Sequence, residues 1–413
     1  MRSPAEDALR TLPAREIVRA IADAGQRWCD ADFPPRVRAT RAVTERLSYT
    51  EPVVDYALDR LFGAITREAL HATIESELGS LDALDGFAQR PGRPAAFARG
   101  VSRVAIISSD TTIGVALVPM LFALCAKADV AVKDRSDQLI GAFAQTLAQE
   151  QPAFASAMDI GSWPQAGDFS AAVADADVVV AFGRPAALQA IRAACKPEAR
   201  FLPFGHRTSF GYLPRAALMD IALARHHAAA AARDTLLYDG DGCLSLHALF
   251  VEEGGAVSPS ALAQLLASAC DEAATEFPAA SHELSPSSAA YRERARFRSA
   301  QGIGVVYDGR RGAHLVVYDP PRDEPPALTP RTIGVYPVHQ PSDLVAYVRA
   351  QHVPLEAIAV PPGTPPDLIS ILAATGAARI ALLGQLQNPP LAGNHGGEQR
   401  ITPFVSFVYR DDE

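Results

Sequence analysis

The spacing of apolar residues changes about a quarter of the way along the chain. In residues 5–22 and 53–78, apolar side chains recur every three or four positions with Arg, Asp and Glu between them, which predicts amphipathic helices. Residues 90–94 (RPGRP) then interrupt the pattern in the manner of a linker. We therefore expect residues 1–98 to form a helical segment that packs on the domain after it.

From Val101 onward, short runs that are apolar throughout alternate with helical patterns. The predicted strands are residues 102–107, 129–133, 176–182 and 199–203. The predicted helices between them are residues 114–126, 135–149 and 185–194. Continuous apolar strands that alternate with helices predict a parallel sheet covered on both faces. Such a sheet binds ligands at the carboxyl ends of its strands, and we assign it to a domain over residues 99–235.

A second α/β segment follows an Ala-rich helix predicted over residues 216–232. Its predicted strands are residues 246–251, 304–307, 313–318, 333–338, 357–360 and 379–383. Its predicted helices are residues 259–277, 343–351 and 366–375. We expect a domain over residues 236–385. Residues 386–413 are then expected to form a loop dense in Asn, Pro and Gly, followed by a last strand.

Composition narrows the functional classes. The 413 residues are 48% hydrophobic and 21% charged, as in soluble globular proteins, and the net charge of −9 disfavours nucleic acid and anionic membrane as partners. No apolar run approaches the ~20 residues that span a bilayer, and the first residues lack a signal-peptide core, so we expect a cytoplasmic protein. Five scattered cysteines without a CxxC pair or zinc spacing predict neither a disulfide framework nor a metal site.

The most suggestive chemistry lies in residues 238–245, YDGDGCLS. Cys243 stands in a glycine-flanked turn ahead of an apolar strand, where glycines permit tight geometry and close approach of a ligand. A thiolate there could attack an acyl carbonyl, and backbone N–H groups could hold the developing oxyanion. The alternative is a small buried cysteine after a turn. The other four cysteines lie in helical patterns and are expected to be structural.

Two strand ends of the first sheet carry polar residues that could bind a cofactor. The turn after residue 107 holds Ser108 and Ser109, which could bind an anion or simply cap the following helix. Lys133 ends the next strand and could contact a ribose or phosphate, or be a solvated lysine. Gly183 and Arg184 form another strand-to-helix turn and a candidate phosphate cradle, although no GxGxxG motif is present.

The histidines and clustered arginines are ambiguous. His206 follows a strand in a segment rich in Gly and Ser, and it could serve in catalysis or be structural. His395 in the late loop has the same two interpretations. Arg292, Arg294 and Arg296 are expected to form a solvated helix face, with binding of a substrate phosphate as the alternative.

Taken in order, these segments resemble one family, the acyl-CoA and acyl-protein thioester reductases typified by the fatty-acid reductase of bacterial bioluminescence. This family is a branch of the aldehyde dehydrogenase superfamily. Residues 201–210 (FLPFGHRTSF) resemble its FGHKxSF segment, and residues 238–245 resemble its YDQQGCLSP nucleophile segment. Residues 104–114 and 129–133 resemble its oxyanion turn and ribose-binding lysine, 176–183 its phosphate turn, and 385–397 its closing loop.

The resemblance implies an α/β, aldehyde dehydrogenase-like fold with a Rossmann-like nucleotide-binding domain and an α/β catalytic domain. It implies reduction of an acyl thioester, on CoA or on an acyl-carrier or acyl-transferase protein and expected to be fatty acyl, to an aldehyde with NADPH. Cys243 would be the nucleophile, with Asp110 and His206 as further catalytic residues. Cofactor contacts would come from Ser108, Ser109, Lys133, Gly183, Arg184 and Gly205, without a metal. A homo-oligomer is expected by analogy.

Departures from the family pattern bear on the direction of the reaction. Hydrolytic aldehyde dehydrogenases activate water with a glutamate, and Phe204 stands at the matching position here, which suits a reductase. The alternatives are an aldehyde dehydrogenase working in the oxidative direction, or a catalytically weakened scaffold in a biosynthetic complex. The scaffold is favoured by Asp110 and Asp241, which replace the family's Asn and Gln. Asp241 would raise the pKa of the Cys243 thiol.

Overall fold

A computed structural model of the chain describes residues 8–109, 112–134, 138–161, 170–279, 284–321 and 328–410. The chain forms two compact units. The first unit comprises Met1–Leu47, Val54–His206 and Pro390–Glu413, and the second comprises Ser48–Val53 and Arg207–Pro389. The domain boundaries expected after residues 98, 235 and 385 stay a prediction.

The first part of the chain is helical, as its apolar spacing predicts. The helices are α1 (Ala8–Thr11), α2 (Ala14–Trp28), α3 (Pro34–Leu47), α4 (Glu51–Gly63) and α5 (Arg67–Leu78). The apolar face of α2 is buried, and its Trp28 packs against Phe62 with ring centroids 4.7 Å apart. The pattern over 53–78 divides into α4 and α5 because Thr66 caps α5, its side chain accepting from the Ala69 N–H.

Residues 88–100 correct the expectation of a helical segment ending in a linker. They form two antiparallel strands, β1 (Ala88–Arg90) and β2 (Arg93–Gly100), which join β15 (Val405–Tyr409) in a three-stranded sheet. Pro91 and Gly92, whose φ is +67°, make the turn between β1 and β2. A Pro-Gly pair favours a turn as much as a linker, and the alanines of β2 have little strand propensity, so the hairpin was missed.

A parallel sheet of five strands follows in the first unit, as predicted. Its strands are β3 (Arg103–Ile107), β4 (Asp129–Lys133), β5 (Met158–Gly161), β6 (Val178–Phe182) and β7 (Arg200–Phe204). The helices between them are α6 (Leu117–Cys125), α7 (Leu139–Glu150), α8 (Ala153–Ala157), α9 (Ser170–Ala174) and α10 (Pro185–Ala194). The order β5-β4-β3-β6-β7 reverses direction between β3 and β6, which is the topological switch point of a Rossmann-like sheet.

The second unit is built on a sheet of seven strands. They are β8 (Thr208–Leu213), β9 (Leu246–Glu252), β10 (Val305–Asp308), β11 (Leu315–Tyr318), β12 (Thr332–Val338), β13 (Leu355–Val360) and β14 (Arg379–Leu382). The order is β10-β11-β12-β9-β8-β13-β14, and every pair is parallel except β10 with β11.

Strand β8 is absent from the strands that the sequence analysis predicts. All six of its residues are buried, between β9 on one side and β13 on the other. Its Gly, Ser and Thr residues carry turn signals in the sequence, but neighbours on both sides bury them.

Helices cover both faces of this sheet. They are α11 (Ile221–Leu236), α12 (Pro259–Glu276), α13 (Pro286–Ala300), α14 (Pro341–Ala350) and α15 (Pro366–Ala373). One core combines α11 and α12 with residues such as Leu249 and Ala357. The other combines α14 and α15 with residues such as Phe250 and Ile358. Among the described residues, none of the helices is both long and apolar enough to cross a bilayer.

Candidate active site

The carboxyl edge of the five-stranded sheet gathers most of the predicted cofactor residues. Ile107 at the end of β3 pairs with Lys133 of β4 and Ala181 of β6. The buried Ser108 hydroxyl donates to the Lys133 carbonyl oxygen over 2.7 Å and ties the two strand ends together. Ser109 follows, half-buried. The switch point of the sheet therefore carries a hydroxyl and a lysine, as the sequence indicates.

The Lys133 side chain is half-buried at this edge. Within the described part of the chain, no hydrogen bond or ion pair holds its ammonium group. A partly desolvated ammonium at a strand end fits a ribose hydroxyl or a phosphate. The turn that begins at Ser109 continues through Asp110 and Thr111, which lie outside the described residues. The oxyanion role that the family resemblance implies for this turn therefore stays a prediction.

The turn after β6 leaves its backbone open. Gly183 has no positive φ, and a Cβ on it would lie 3.5 Å from the Ala187 Cβ, an ordinary contact. Neither strain nor crowding therefore requires a glycine there, whereas close approach of a ligand would. Arg184 is exposed and starts α10, whose first helical residue is Pro185. The helix N-terminus and the glycine fit a phosphate cradle.

An aromatic stack stands at the ends of β6 and β7. Phe204 stacks on Phe182, with centroids 4.9 Å apart, and His395 stacks on Phe204 at 4.5 Å and an interplanar angle of 15°. Gly205 and His206, the next residues after Phe204, are exposed. The late loop thus brings His395 to this edge of the sheet, while His206 has no contact in the described residues that fixes a role for it.

The Cys243 loop in the second unit begins with an unusual backbone. Tyr238, Asp239 and Gly240 have φ values of +58°, +54° and +80° in succession. Such a conformation is costly for a bulky side chain and needs support from its surroundings. The glycine at position 240 supplies the left-handed geometry that the sequence pattern indicates.

Arg331 supplies that support. Its backbone N–H donates to the Asp239 carbonyl oxygen over 2.8 Å, and its Nη1 donates to the Asp239 carboxylate over 2.7 Å. The same guanidinium reaches the carbonyl oxygens of Ala313 and Phe277. Both members of this ion pair are buried, so they hold the loop against unwinding.

After this anchor the chain makes a tight turn that carries Cys243. The Ser245 N–H donates to the Gly242 carbonyl oxygen over 2.9 Å, and the Gln387 side chain donates to the Ser245 hydroxyl over 2.9 Å. The Ser209 hydroxyl of β8 donates to the Cys243 carbonyl oxygen over 2.8 Å. These three hydrogen bonds therefore fix the turn that carries the thiol.

Charge and burial oppose ionisation of this thiol. Burial, followed by the Glu356 carboxylate, raises the pKa of Cys243 to about 12. Its own backbone N–H and the guanidinium groups of Arg379 and Arg207 lower the pKa in part. The sequence analysis expected Asp241 to be the carboxylate that raises this pKa, but the carboxylate that does so is Glu356 on β13, and Asp241 is exposed.

Glu356 and Arg379 were missed from the sequence. Both lie at the amino ends of strands, whereas the ligand-binding rule for parallel sheets points to the carboxyl ends. The available signal was a glutamate inside the run LEAIAV, where five other residues are apolar and all six are buried. A charge in such a run is costly unless it has a partner.

The arginine cluster on α13 is also corrected. Arg292 is buried and donates to the carbonyl oxygens of Gly312 and Pro330, over 3.0 and 2.8 Å. It is therefore neither solvated nor free for a phosphate. Arg296 pairs with Asp308, and only Arg294 of the three is exposed.

Comparison with known proteins decides the family. The family model described as acyl-CoA reductase (LuxC) matches residues 9–406. The chain belongs to this acyl-CoA reductase family. No curated protein matches the chain.

Solved structures show the fold of the chain. A NAD-dependent benzaldehyde dehydrogenase from Corynebacterium glutamicum is 14% identical with a TM-score of 0.67, covering 98% of this chain and 87% of that one. Aldehyde dehydrogenase 21 from Physcomitrella patens is 11% identical with a TM-score of 0.68, covering 98% and 88%. A glyceraldehyde-3-phosphate dehydrogenase from Methanocaldococcus jannaschii, solved with NADP, is 8% identical with a TM-score of 0.67, covering 98% and 90%.

The family and the fold together identify an aldehyde-related oxidoreductase with an aldehyde dehydrogenase fold. The predicted family and the predicted fold class are both confirmed. Among the described residues, no group of three His, Cys, Asp or Glu side chains is placed to hold a metal ion.

Proposed function

We propose that this protein reduces an acyl thioester, carried by CoA or by an acyl-carrier or acyl-transferase protein, to an aldehyde with NADPH. The observation that carries the proposal is the position of Cys243. It stands on a fixed turn at the start of a buried strand, in a chain whose family is described as acyl-CoA reductases. A fatty acyl group is the substrate class that the family resemblance favours.

The reaction begins with the thiol. Cys243 Sγ attacks the acyl carbonyl, the carbon–sulfur bond to the donor thiol breaks, and the donor leaves with a proton. The acyl group is then held as a thioester on Cys243. The Cys243 backbone N–H, which already lies against its own sulfur, is a donor for the oxyanion of this step.

The cofactor would be held at the switch point of the five-stranded sheet. Lys133 suits the ribose, and the turn of Gly183 and Arg184 with the N-terminus of α10 suits the phosphates. Ser108, Ser109 and Gly205 line the same edge. When bound, NADPH supplies the hydride that reduces the acyl group to an aldehyde. Release of the aldehyde leaves Cys243 as a thiolate, which takes up a proton to return to its thiol form.

The absence of a proton-accepting side chain at position 204 supports reduction over hydrolysis. The position where hydrolytic aldehyde dehydrogenases use a glutamate is occupied by Phe204, which packs in one ring cluster with Phe182 and His395. An aromatic ring cannot accept a proton from water, so an acyl-enzyme would not be hydrolysed by this group. This feature also argues against the oxidative route from an aldehyde to a free acid.

Aldehyde formation tests the proposal. The full chain is incubated with NADPH and acyl-CoAs from short to long chain, and the aldehyde is captured with a hydrazine reagent. We expect aldehyde from the wild type and from Cys195→Ala, a matched variant at another half-buried cysteine, but not from Cys243→Ala. Aldehyde from Cys243→Ala, or free acid as the main wild-type product, would contradict the proposal.

A further inference from the structure

Two charged side chains around Cys243 have no role in the reaction described so far. Ala357 of β13 pairs with Ser209 of β8 and with Arg379 of β14, so these three side chains lie on one face of the sheet. The Ser209 hydroxyl on that face bonds the Cys243 carbonyl oxygen. Arg379 is therefore on the same face and at the same level as the nucleophile loop.

Glu356 reaches this place through a β-bulge. Leu355 pairs with Thr208 and Ala357 pairs with Ser209, so Glu356 is the extra residue on β13. The neighbour of β8 on the other side has an extra residue at the same level, because Ser209 pairs with Leu246 and Phe210 with Ala248. Paired bulges at one level re-aim side chains, and bulges are frequent beside active sites.

The Glu356 carboxylate is buried, with only 5% of the residue exposed. Arg207 Nε lies 3.8 Å from its Oε2. The pKa of the Cys243 thiol responds to this carboxylate more than to any other charged group, which places the two in electrostatic contact. Arg207 and Arg379 offset part of the cost of burying this carboxylate, and its place beside the half-buried Cys243 suits a reaction with the thiol.

Arg379 carries unsatisfied donors. Its Nη2 donates to the carbonyl oxygens of Leu386 and Gln385, over 2.5 and 3.4 Å. Its Nε and Nη1 are buried and have no hydrogen-bond partner among the described residues. Burying such donors without a hydrogen-bond acceptor is costly, even though the Glu356 and Asp234 carboxylates act on the guanidinium charge.

We propose that Glu356 accepts the proton of the Cys243 thiol and that Arg379 stabilises the thiolate that results. This inference rests on the proposed role of Cys243 as the nucleophile. The S–H bond breaks and an O–H bond forms on the carboxyl group, with no change in oxidation state. The net charge of the site stays the same, so the transfer avoids charging a buried region.

The pH dependence follows from the groups that face the thiol. They are Glu356 on β13, Arg379 on β14 and Arg207 ahead of β8, with Asp234 on α11 acting on Arg379. His247 is the extra residue of the β9 bulge at the same level of the sheet. A transfer within the site keeps its proton count, so the population of reactive thiolate is constant with pH around neutrality. Loss of the proton to solvent would instead raise that population tenfold per pH unit.

Alkylation by iodoacetamide measures this without an acyl donor. The full chain is labelled between mildly acidic and alkaline pH, and the label on the Cys243 peptide is followed by mass spectrometry. Cys125 and Cys270 are buried, so their protection in the same samples reports that each variant is folded. Glu272→Gln, an exposed position on α12, is the matched control for Glu356→Gln.

We expect a flat profile around neutral pH for the wild type and for Glu272→Gln. Glu356→Gln is expected to react about 10²-fold more slowly at neutral pH and to accelerate tenfold per pH unit. It should overtake the wild type in alkaline solution, because a negative charge beside the thiol has gone. Glu356→Asp, which keeps a carboxylate, should retain the flat profile.

A purely electrostatic or structural Glu356 gives the opposite result. Glu356→Gln would then react faster than the wild type at every pH, or with the same profile, and the inference would be overturned. A tenfold rise per pH unit in the wild type would overturn it as well.

The Arg379 part has its own measurement. Arg379→Gln is expected to shift the alkaline limb of the Cys243 profile to higher pH, while Arg379→Lys should not. If the alkylation rate of Cys243 rises at the same alkaline pH in the wild type and in Arg379→Gln, Arg379 has no part in stabilising the thiolate.

Failure of this inference is distinct from failure of the proposed function. A flat wild-type alkylation profile with no acylation by any donor would reject the thioester reaction alone. Acylation of Cys243 that is as fast in Glu356→Gln as in the wild type would reject only the proton transfer.

Discussion

At the scale of single residues, Arg331 is the side chain on which the nucleophile loop depends. It neutralises the buried Asp239 carboxylate and holds two consecutive left-handed residues, Tyr238 and Asp239, in place. A buried ion pair adds little to stability compared with apolar packing, but removal of one partner leaves an uncompensated charge. The ion pair therefore holds the strained backbone of Tyr238 and Asp239 in place, and the rest of the fold must supply the free energy that this strain costs.

We predict that Arg331→Met lowers the free energy of unfolding by about 3–5 kcal/mol, because the buried Asp239 carboxylate loses the guanidinium that neutralises it. Arg331→Lys, which keeps the charge but not the fork of donors, should lose less. Urea unfolding followed by circular dichroism measures both. Arg294→Met, at an exposed position on α13, is the control. A loss below about 1 kcal/mol for Arg331→Met would show that the loop does not need this anchor.

At the scale of elements, two glycines differ in whether the packing of the fold requires them. Gly100 ends β2, and a Cβ there would lie 1.7 Å from the Ala126 carbonyl oxygen, an impossible contact with backbone. Gly183 begins the turn after β6, and a Cβ there would make only ordinary contacts. The first glycine is needed by the fold, and the second is needed only if a ligand approaches its backbone.

We predict that Gly100→Ala destabilises the protein by more than about 2 kcal/mol, because the β2 backbone must move away from Ala126. Gly183→Ala should change the free energy of unfolding by less than about 1 kcal/mol and raise the Kd for NADPH at least about tenfold. Urea unfolding and the fluorescence of bound NADPH give the two readouts. Wild-type NADPH affinity in Gly183→Ala would contradict a cofactor role for this turn.

The elements that the sequence analysis predicted correctly are those with a strong period. Helix α10 has the predicted bounds, and the continuous apolar runs of β3, β4 and β6 are parallel strands. Two elements were missed because their residues carry other signals. The alanines of β2 lack strand propensity, and the Gly and Ser of β8 favour turns, so only tertiary pairing makes these segments strands.

At the scale of the whole molecule, stability depends on the protonation of Asp234. Burial raises the pKa of this carboxyl group to about 7, against the N–H groups of Gly384 and Leu386, which lower it. The folded protein therefore holds this proton more tightly than the unfolded chain does. The stabilisation is complete below about pH 4 and is lost as the pH rises through about 7.

We predict that the free energy of unfolding of the wild type, relative to Asp234→Asn, falls between about pH 4 and about pH 7 and is constant above. The fall should be on the order of 4 kcal/mol, since one pKa unit is worth about 1.4 kcal/mol. Urea unfolding at a series of pH values measures it. Asp367→Asn, at an exposed carboxylate on α15, should show no such slope. A flat difference for Asp234→Asn would show that Asp234 is ionised throughout.

The candidate site was predictable only in part. Cys243, Ser108, Lys133 and Gly183 lie at turns and strand ends that sequence patterns mark, and the structure places the last three at one edge of a sheet. Glu356, Arg379 and Ser209 come from distant parts of the chain and meet near the Cys243 loop through strand register and two β-bulges, while Arg331 anchors that loop at Asp239. Register and bulges depend on tertiary packing, which no local pattern encodes.

The intact mass of the protein after incubation with acyl-CoA tests the central claim most directly. The wild type and Cys243→Ala are incubated with a panel of acyl-CoAs, and their intact masses are measured by mass spectrometry before and after addition of NADPH. We predict an adduct of the mass of the acyl group on the wild type alone, which NADPH discharges with release of the aldehyde. No adduct with any CoA donor or acylated carrier protein, or an equal adduct on Cys243→Ala, would contradict the account.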